Sequence, residues 1–288
     1  MFKRFLITLM ACGFSGLILA DEPTPTLQKA VIDTNYKGGF PNDFPVELNL
    51  VQTLVPVAQQ EISTNLGFLQ YQEGFQHPVV IRFSDGAPAT AENPYFYVQT
   101  ASADKSYSQA LIVNVEAFGE RGKKHKTDDD AAVRHSFYYA MTTVIFNDHA
   151  AGDPDQALPT WAQEGTAVYI SGMGDHLVKK VASEVTRSHV GELVDELNRP
   201  VPFMTRRQYA RYYLAVQYIV NTGGASSLQA FIRDLLSGKS VSDTVLDVFN
   251  QDWDTFEDKV ERFSKDTFSQ FAREDENSGA PSQPRYPK

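Results

Sequence analysis

The sequence predicts an α+β fold: a small N-terminal sheet packed on a mainly helical domain. Three observations carry that expectation. Short runs rich in β-branched and aromatic residues fall between Val79 and Val115. Longer segments with apolar residues at helical spacing lie before and after them, and clusters of Gly, Pro, Asn and Ser mark the breaks.

Residues 1–20 read as a secretory signal peptide. Lys3 and Arg4 form a basic start, Phe5 to Ala20 an apolar core, and Ala20 a small residue ahead of Asp21 and Glu22. The run is short for a membrane span and ends in acids, so no stable span is expected after cleavage. The alternative is lipidation at Cys12, within Leu9-Met10-Ala11-Cys12. The apolar stretch continuing to Leu19 argues against it, because a lipidated N-terminus would leave that stretch exposed.

The expected product is periplasmic or secreted. Cys12 is the only cysteine, so the mature chain would contain no disulfide and no cysteine nucleophile, and its fold rests on its core. Removal of Lys3 and Arg4 takes the formal net charge from −10 to −12. Such an acidic product is not expected to bind nucleic acid or anionic membrane surfaces.

Residues 21–45 are rich in Pro and lack periodicity, which predicts a linker or loosely attached arm. A domain over residues 46–272 follows, long enough at roughly 230 residues for one sizeable core. It opens with a helix carrying Leu48, Val51, Leu54, Val55, Ala58, Ile62 and Leu66, kinked at Pro56 and stopped by Gly67. Strands are expected at 79–83, 95–99 and 111–115. The basic-then-acidic run 121–130 reads as a solvated loop leading into a helix start.

The next two helices hold the candidate chemistry. One spans 128–146, with Thr127 as N-cap and acids in its first turn; the other begins at Thr160, with Gln163 completing a capping box. Beyond them, 208–220 and 227–236 read as a helix pair stopped by Gly223-Gly224 and by Gly238. Two further helices are expected, over 242–249 and from an Asp254 cap through Phe256, Val260, Phe263, Phe268 and Phe271. A polar tail, 273–288, is expected to be disordered.

His135-Ser136-Phe137-Tyr138-Tyr139 on the first of these helices, followed one short loop later by Leu158-Pro159-x-Trp161-x-x-Glu164-Gly165-x-Ala167-x-Tyr169, resembles the peptidase-MA-like (gluzincin) zinc metallopeptidases. The resemblance covers most of the domain, because those proteins also have a preceding short sheet and a following helix pair. It implies a zincin-like helical domain beside a sheet whose edge strand can pair with an extended peptide. It also implies a metal set with His135 as first ligand and Glu164 as third.

The catalytic pair departs from that pattern. Two histidines four residues apart would point at one ion, with a glutamate beside the first to activate water. Here Ser136 replaces the glutamate, and Tyr139 occupies the position of the second histidine. Loss of a positioned general base typically removes about a hundred- to ten-thousand-fold in rate. A phenol, with its ordinary pKa of about 10, is also a poor substitute for an imidazole at neutral pH.

The expected function is therefore binding of a peptide or envelope protein by a catalytically inactive relative, without a cofactor. The alternative is an active zinc hydrolase with a substitute ligand, Tyr139 or His149. Ser136, Tyr138, Trp161 and Tyr213 are candidates for a residual cleft. In the metal-free case a direct or water-bridged Glu164–His135 contact is expected. His176 has no partner at metal spacing, and His189 only the weak His189-x-x-Glu192. A serine hydrolase is disfavoured, because Ser136 lies within a helix rather than on a strained strand-to-helix turn.

Overall fold

The computed structural model describes residues 27–33, 44–84, 93–103, 106–122, 128–151, 157–184, 197 and 204–277. The expected signal peptide with Cys12, the expected Thr127 cap, His189 and residues 278–288 of the polar tail lie outside them.

Among the described residues the chain is α+β, with four strands near the N-terminus and a mainly helical remainder. Strand β1 (Val31–Ile32) comes from the segment read as an arm, and Gln28 also bridges to Phe75. Helix α1 (Pro45–Leu66) follows, then a 3-10 turn (Leu69–Gln72) and strands β2 (Val79–Ser84), β3 (Phe96–Ala103) and β4 (Ser106–Asn114). The helical part comprises α2 (Val115–Gly122), α3 (Asp128–Ala150), α4 (Thr160–Ser171), α5 (Gly174–Glu184), α6 (Arg206–Leu236), α7 (Val241–Phe249) and α8 (Trp253–Asn277).

The sheet order is β1-β2-β4-β3; β1 and β4 run parallel to β2, and β3 runs antiparallel to β4. Among the described strands β3 is thus an edge. Alternation along the strands buries Val79, Ile81, Phe83, Leu111 and Val113. Helix α3 lies across β3 and β4, with Phe137 edge-on to Phe96 at 5.0 Å between ring centroids.

Polar links fix α3 to the sheet as well. Gln109 of β4 donates to the Val144 carbonyl at 3.0 Å. Asp148, fully buried, accepts the backbone N–H groups of Gln76 at 2.7 Å and His77 at 2.9 Å, and its Oδ1 lies 3.1 Å from the His77 ring. A buried carboxylate needs such donors, and here they tie the end of α3 to the approach into β2.

Helix boundaries follow local chemistry. Pro45 starts α1, Gly67 ends it at φ 76°, and Pro56 is carried inside a helix that continues to Leu66. The capping box expected at Thr160 is absent. Pro159 takes the N-cap position at φ −53° and ψ 139°, so Thr160 is already helical and its hydroxyl cannot cap. The box occurs instead at the start of α6, where the Thr205 hydroxyl accepts the Gln208 N–H and the Gln208 side chain accepts the Thr205 N–H. Asp252 rather than Asp254 caps α8, accepting the Thr255 N–H at 2.7 Å. The two helices expected at 208–220 and 227–236 form the single element α6, broken at Gly224 with φ 77°.

The largest cluster of buried side chains joins the sheet to α1, α3, α4 and α6, with Trp161 against Phe231 and Trp253. A second cluster, including Val168, Leu177, Val181, Leu214 and Phe268, joins α4, α5, α6 and α8. Between α4 and α6 the backbones touch closely: a Cβ on Gly165 would stand 2.3 Å from the Tyr212 carbonyl oxygen. Gly165→Ala is therefore expected to force these helices apart and cost about 1–3 kcal/mol. Chemical denaturation monitored by circular dichroism measures this, and an unchanged midpoint would show that the contact relaxes freely.

Candidate functional site

Helices α3 and α4 pack antiparallel, which sets opposite Glu164 the residue one helical turn after His135. Tyr139 donates its phenolic hydrogen to Glu164 Oε2. His135 meets a different part of α4, its ring Nδ1 against the Ser171 carbonyl at the C-terminal end. Seven residues separate Glu164 from Ser171, about 10 Å along the axis at 1.5 Å per residue. The expected Glu164–His135 contact is therefore replaced by two separate contacts.

Glu164 and Tyr139 open into a cavity of about 190 Å³, lined by Asn93, Phe96, Tyr97, Val98, Tyr139, Ala140, Thr143, Glu164 and Tyr209. Strand β3 forms one wall, α3 and α4 the opposite side, and the first turn of α6 brings in Tyr209. The Tyr139 and Tyr209 rings are edge-on, 6.2 Å apart. Burial pushes the Glu164 carboxyl above the ordinary 4.5, partly offset by the hydrogen bond from Tyr139. Burial and then the adjacent Glu164 charge hold the Tyr139 phenol well above 10.

The other candidates lie elsewhere. Ser136 is buried below the cavity and donates to Asn93 Oδ1, so it reaches the lining only through Asn93. Tyr138 points to the α1 side, donating to Glu61 with the Arg134 guanidinium 5.1 Å from its ring centroid. Successive helical residues diverge by about 100°, which separates Tyr138 from Tyr139. Trp161 belongs to the core. Tyr213 donates to Asp175 at 2.7 Å and stacks on Tyr169; burial and then Asp175 raise its pKa.

His149 lies within α3, which extends to Ala150, and its imidazole stacks on Phe68 at 5.8 Å. Burial lowers its pKa against the opposing effect of Asp148. His176 is exposed on α5. Among the described residues, no three His, Cys, Asp or Glu side chains group as a metal site would require.

Asn93, Thr143 and Tyr209 were not among the sequence candidates. The Asn93-Pro94 dipeptide and the Thr205–Gln208 box are the signals that place two of them, at the entry to β3 and on the first turn of α6.

The free edge of β3 completes the site. The Asn114 N–H bonds the Tyr95 carbonyl at 2.9 Å, and 95 and 114 continue the β3–β4 register. Hydrogen-bonded and non-bonded pairs alternate in an antiparallel ladder. Tyr97, Gln99 and Ala101 therefore bond inward to β4, while Phe96, Val98 and Thr100 direct their N–H and C=O groups outward. Among the described residues no further strand pairs with that edge.

Comparison with known proteins found no matching family model, and neither a curated protein nor a solved structure gave a significant match.

The raised Glu164 pKa has a consequence with a definite sign. The folded state holds this proton at pH values where the unfolded chain has lost it, so the stabilisation is present below the ordinary value of 4.5 and disappears as pH rises through the raised folded value. Glu164→Gln should flatten that part of the stability-versus-pH profile and add stability above it. Denaturation midpoints across the acidic to neutral range test this; parallel profiles for the two proteins would exclude an elevated pKa.

Proposed function

We propose that this chain is an exported, catalytically inactive relative of the peptidase-MA-like proteins that binds an extended peptide along the outer edge of β3. The observation that carries the reading is the juxtaposition of that edge with the Glu164–Tyr139 cavity. Edge strands offer unpaired N–H and C=O groups, and an incoming strand satisfies them while its alternate side chains enter neighbouring pockets. Phe96, Val98 and Thr100 supply the backbone groups; Val98 also lines the cavity. A peptide or a segment of an envelope protein is the partner this chemistry suits.

Zinc hydrolysis is the second reading, and the residues fit the ion poorly. Zinc bonds imidazole nitrogen at about 2.0–2.1 Å and carboxylate oxygen at a similar distance, so its ligands must converge. His135 faces the Ser171 carbonyl and Glu164 the Tyr139 hydroxyl; His149, the other substitute weighed, stacks on Phe68. Ser136 donates to Asn93 and offers no carboxylate to take a proton. We expect micromolar zinc to leave the melting temperature unchanged. A rise of several degrees, abolished by both His135→Ala and Glu164→Ala, would restore the hydrolase reading.

The binding reading is tested at Thr100, an exposed residue whose N–H faces outward. Thr100→Pro removes that donor and blocks a pairing strand while sparing the β3–β4 ladder. With a short fluorescent peptide of alternating Thr and Val, the native protein should bind and Thr100→Pro should bind at least about tenfold more weakly, the loss of roughly one or two hydrogen bonds. Equal affinity in the two proteins would remove the edge from consideration.

A further inference from the structure

The cavity beside β3 has walls of two kinds. Phe96, Val98 and Ala140 present apolar surface, while Asn93, Tyr139, Thr143, Glu164 and Tyr209 are polar. Among the described residues no Lys, Arg or His lines it, and Glu164 has the Tyr139 hydroxyl as its hydrogen-bond partner.

A carboxyl in such a place lacks the cation that buried carboxylates usually acquire, and it is neutralised by a proton or by an incoming positive group. The chain around it is acidic: Asp and Glu number 36 against 26 Lys and Arg. That excess favours approach of basic partners over acidic ones.

Resting on the reading of β3 as a peptide-pairing edge, we infer that the cavity receives a lysine or arginine side chain of the bound peptide, with Glu164 as the residue that selects it. Side chains of directly opposed residues in a sheet point to the same face. A peptide residue opposite Val98 therefore projects toward the cavity that Val98 lines. Its methylenes lie along Phe96, Val98 and Ala140, as long basic side chains do on apolar surface. Its charged head meets Glu164 in a charge-assisted hydrogen bond, with the phenol rings of Tyr139 and Tyr209 beside it as cation–π partners.

The test uses short capped Thr/Val peptides with lysine, arginine, norleucine or glutamate at the centre, titrated into the purified protein by fluorescence anisotropy. Lysine or arginine should bind about tenfold tighter than norleucine, and Glu164→Gln should reduce that preference to parity. Retained norleucine binding by Glu164→Gln shows that the variant is folded. Glu61→Gln, which removes the same charge from α1, should leave the preference intact.

A norleucine or glutamate peptide that binds as well as lysine, or a lysine preference that survives in Glu164→Gln, overturns the inference while leaving the edge reading standing. No binding of any peptide overturns both.

Discussion

The approach of α4 to α6 at Gly165 is the constraint on which the site depends. With no side chain at that position, α4 lies against the α6 backbone, and the facing Tyr212 carbonyl leaves no room for a methyl group. Glu164 is the residue before the contact, so the packing that fixes Gly165 also fixes where the carboxyl emerges. Tyr209 precedes Tyr212 by three residues, nearly one turn of the same helix, and it lines the cavity from that side. The third side follows from α3, whose own position is set by Phe137 on Phe96 and by Asp148 beneath the approach to β2.

Two acidic side chains inside this fold are provided for very differently. Asp148 is fully buried and receives two backbone N–H groups, with the His77 ring in addition. Its acceptor sites are largely filled, which is how a structural carboxylate is held. Glu164 faces a cavity with one phenol as partner and rings or aliphatic groups around it. A fold that needed this residue only for packing would be served as well by an apolar side chain of similar volume. Of the two carboxyls, Glu164 is thus the less fully hydrogen-bonded.

The elements that were legible in the sequence are those whose signals are local. Gly67 ends α1, three apolar runs become β2, β3 and β4, and Gly223-Gly224 marks the break in α6. Helix α5 was not anticipated, although Leu177, Val178, Val181 and Ala182 form a buried stripe. Strand β1 is two residues long and has no pattern of its own; pairing with β2 creates it. Of the candidates, Tyr139 and Glu164 line the cavity and Tyr138 and Trp161 do not. Tyr138 and Trp161 differ from them by one helical step and by nearly one turn, and which face meets the cavity is decided by tertiary packing.

The register between α3 and α4 separates the two chemistries that such a frame can support. A metal requires donors that converge within bonding distance, and setting His135 beside Ser171 rather than Glu164 removes that convergence. Strand pairing has no comparable requirement, since the outward groups of β3 are fixed by its ladder with β4 and are indifferent to what lies on α3 and α4. Tyr139 acts on Glu164 directly: it supplies a hydrogen bond that favours the charged form, against a burial that favours the neutral one.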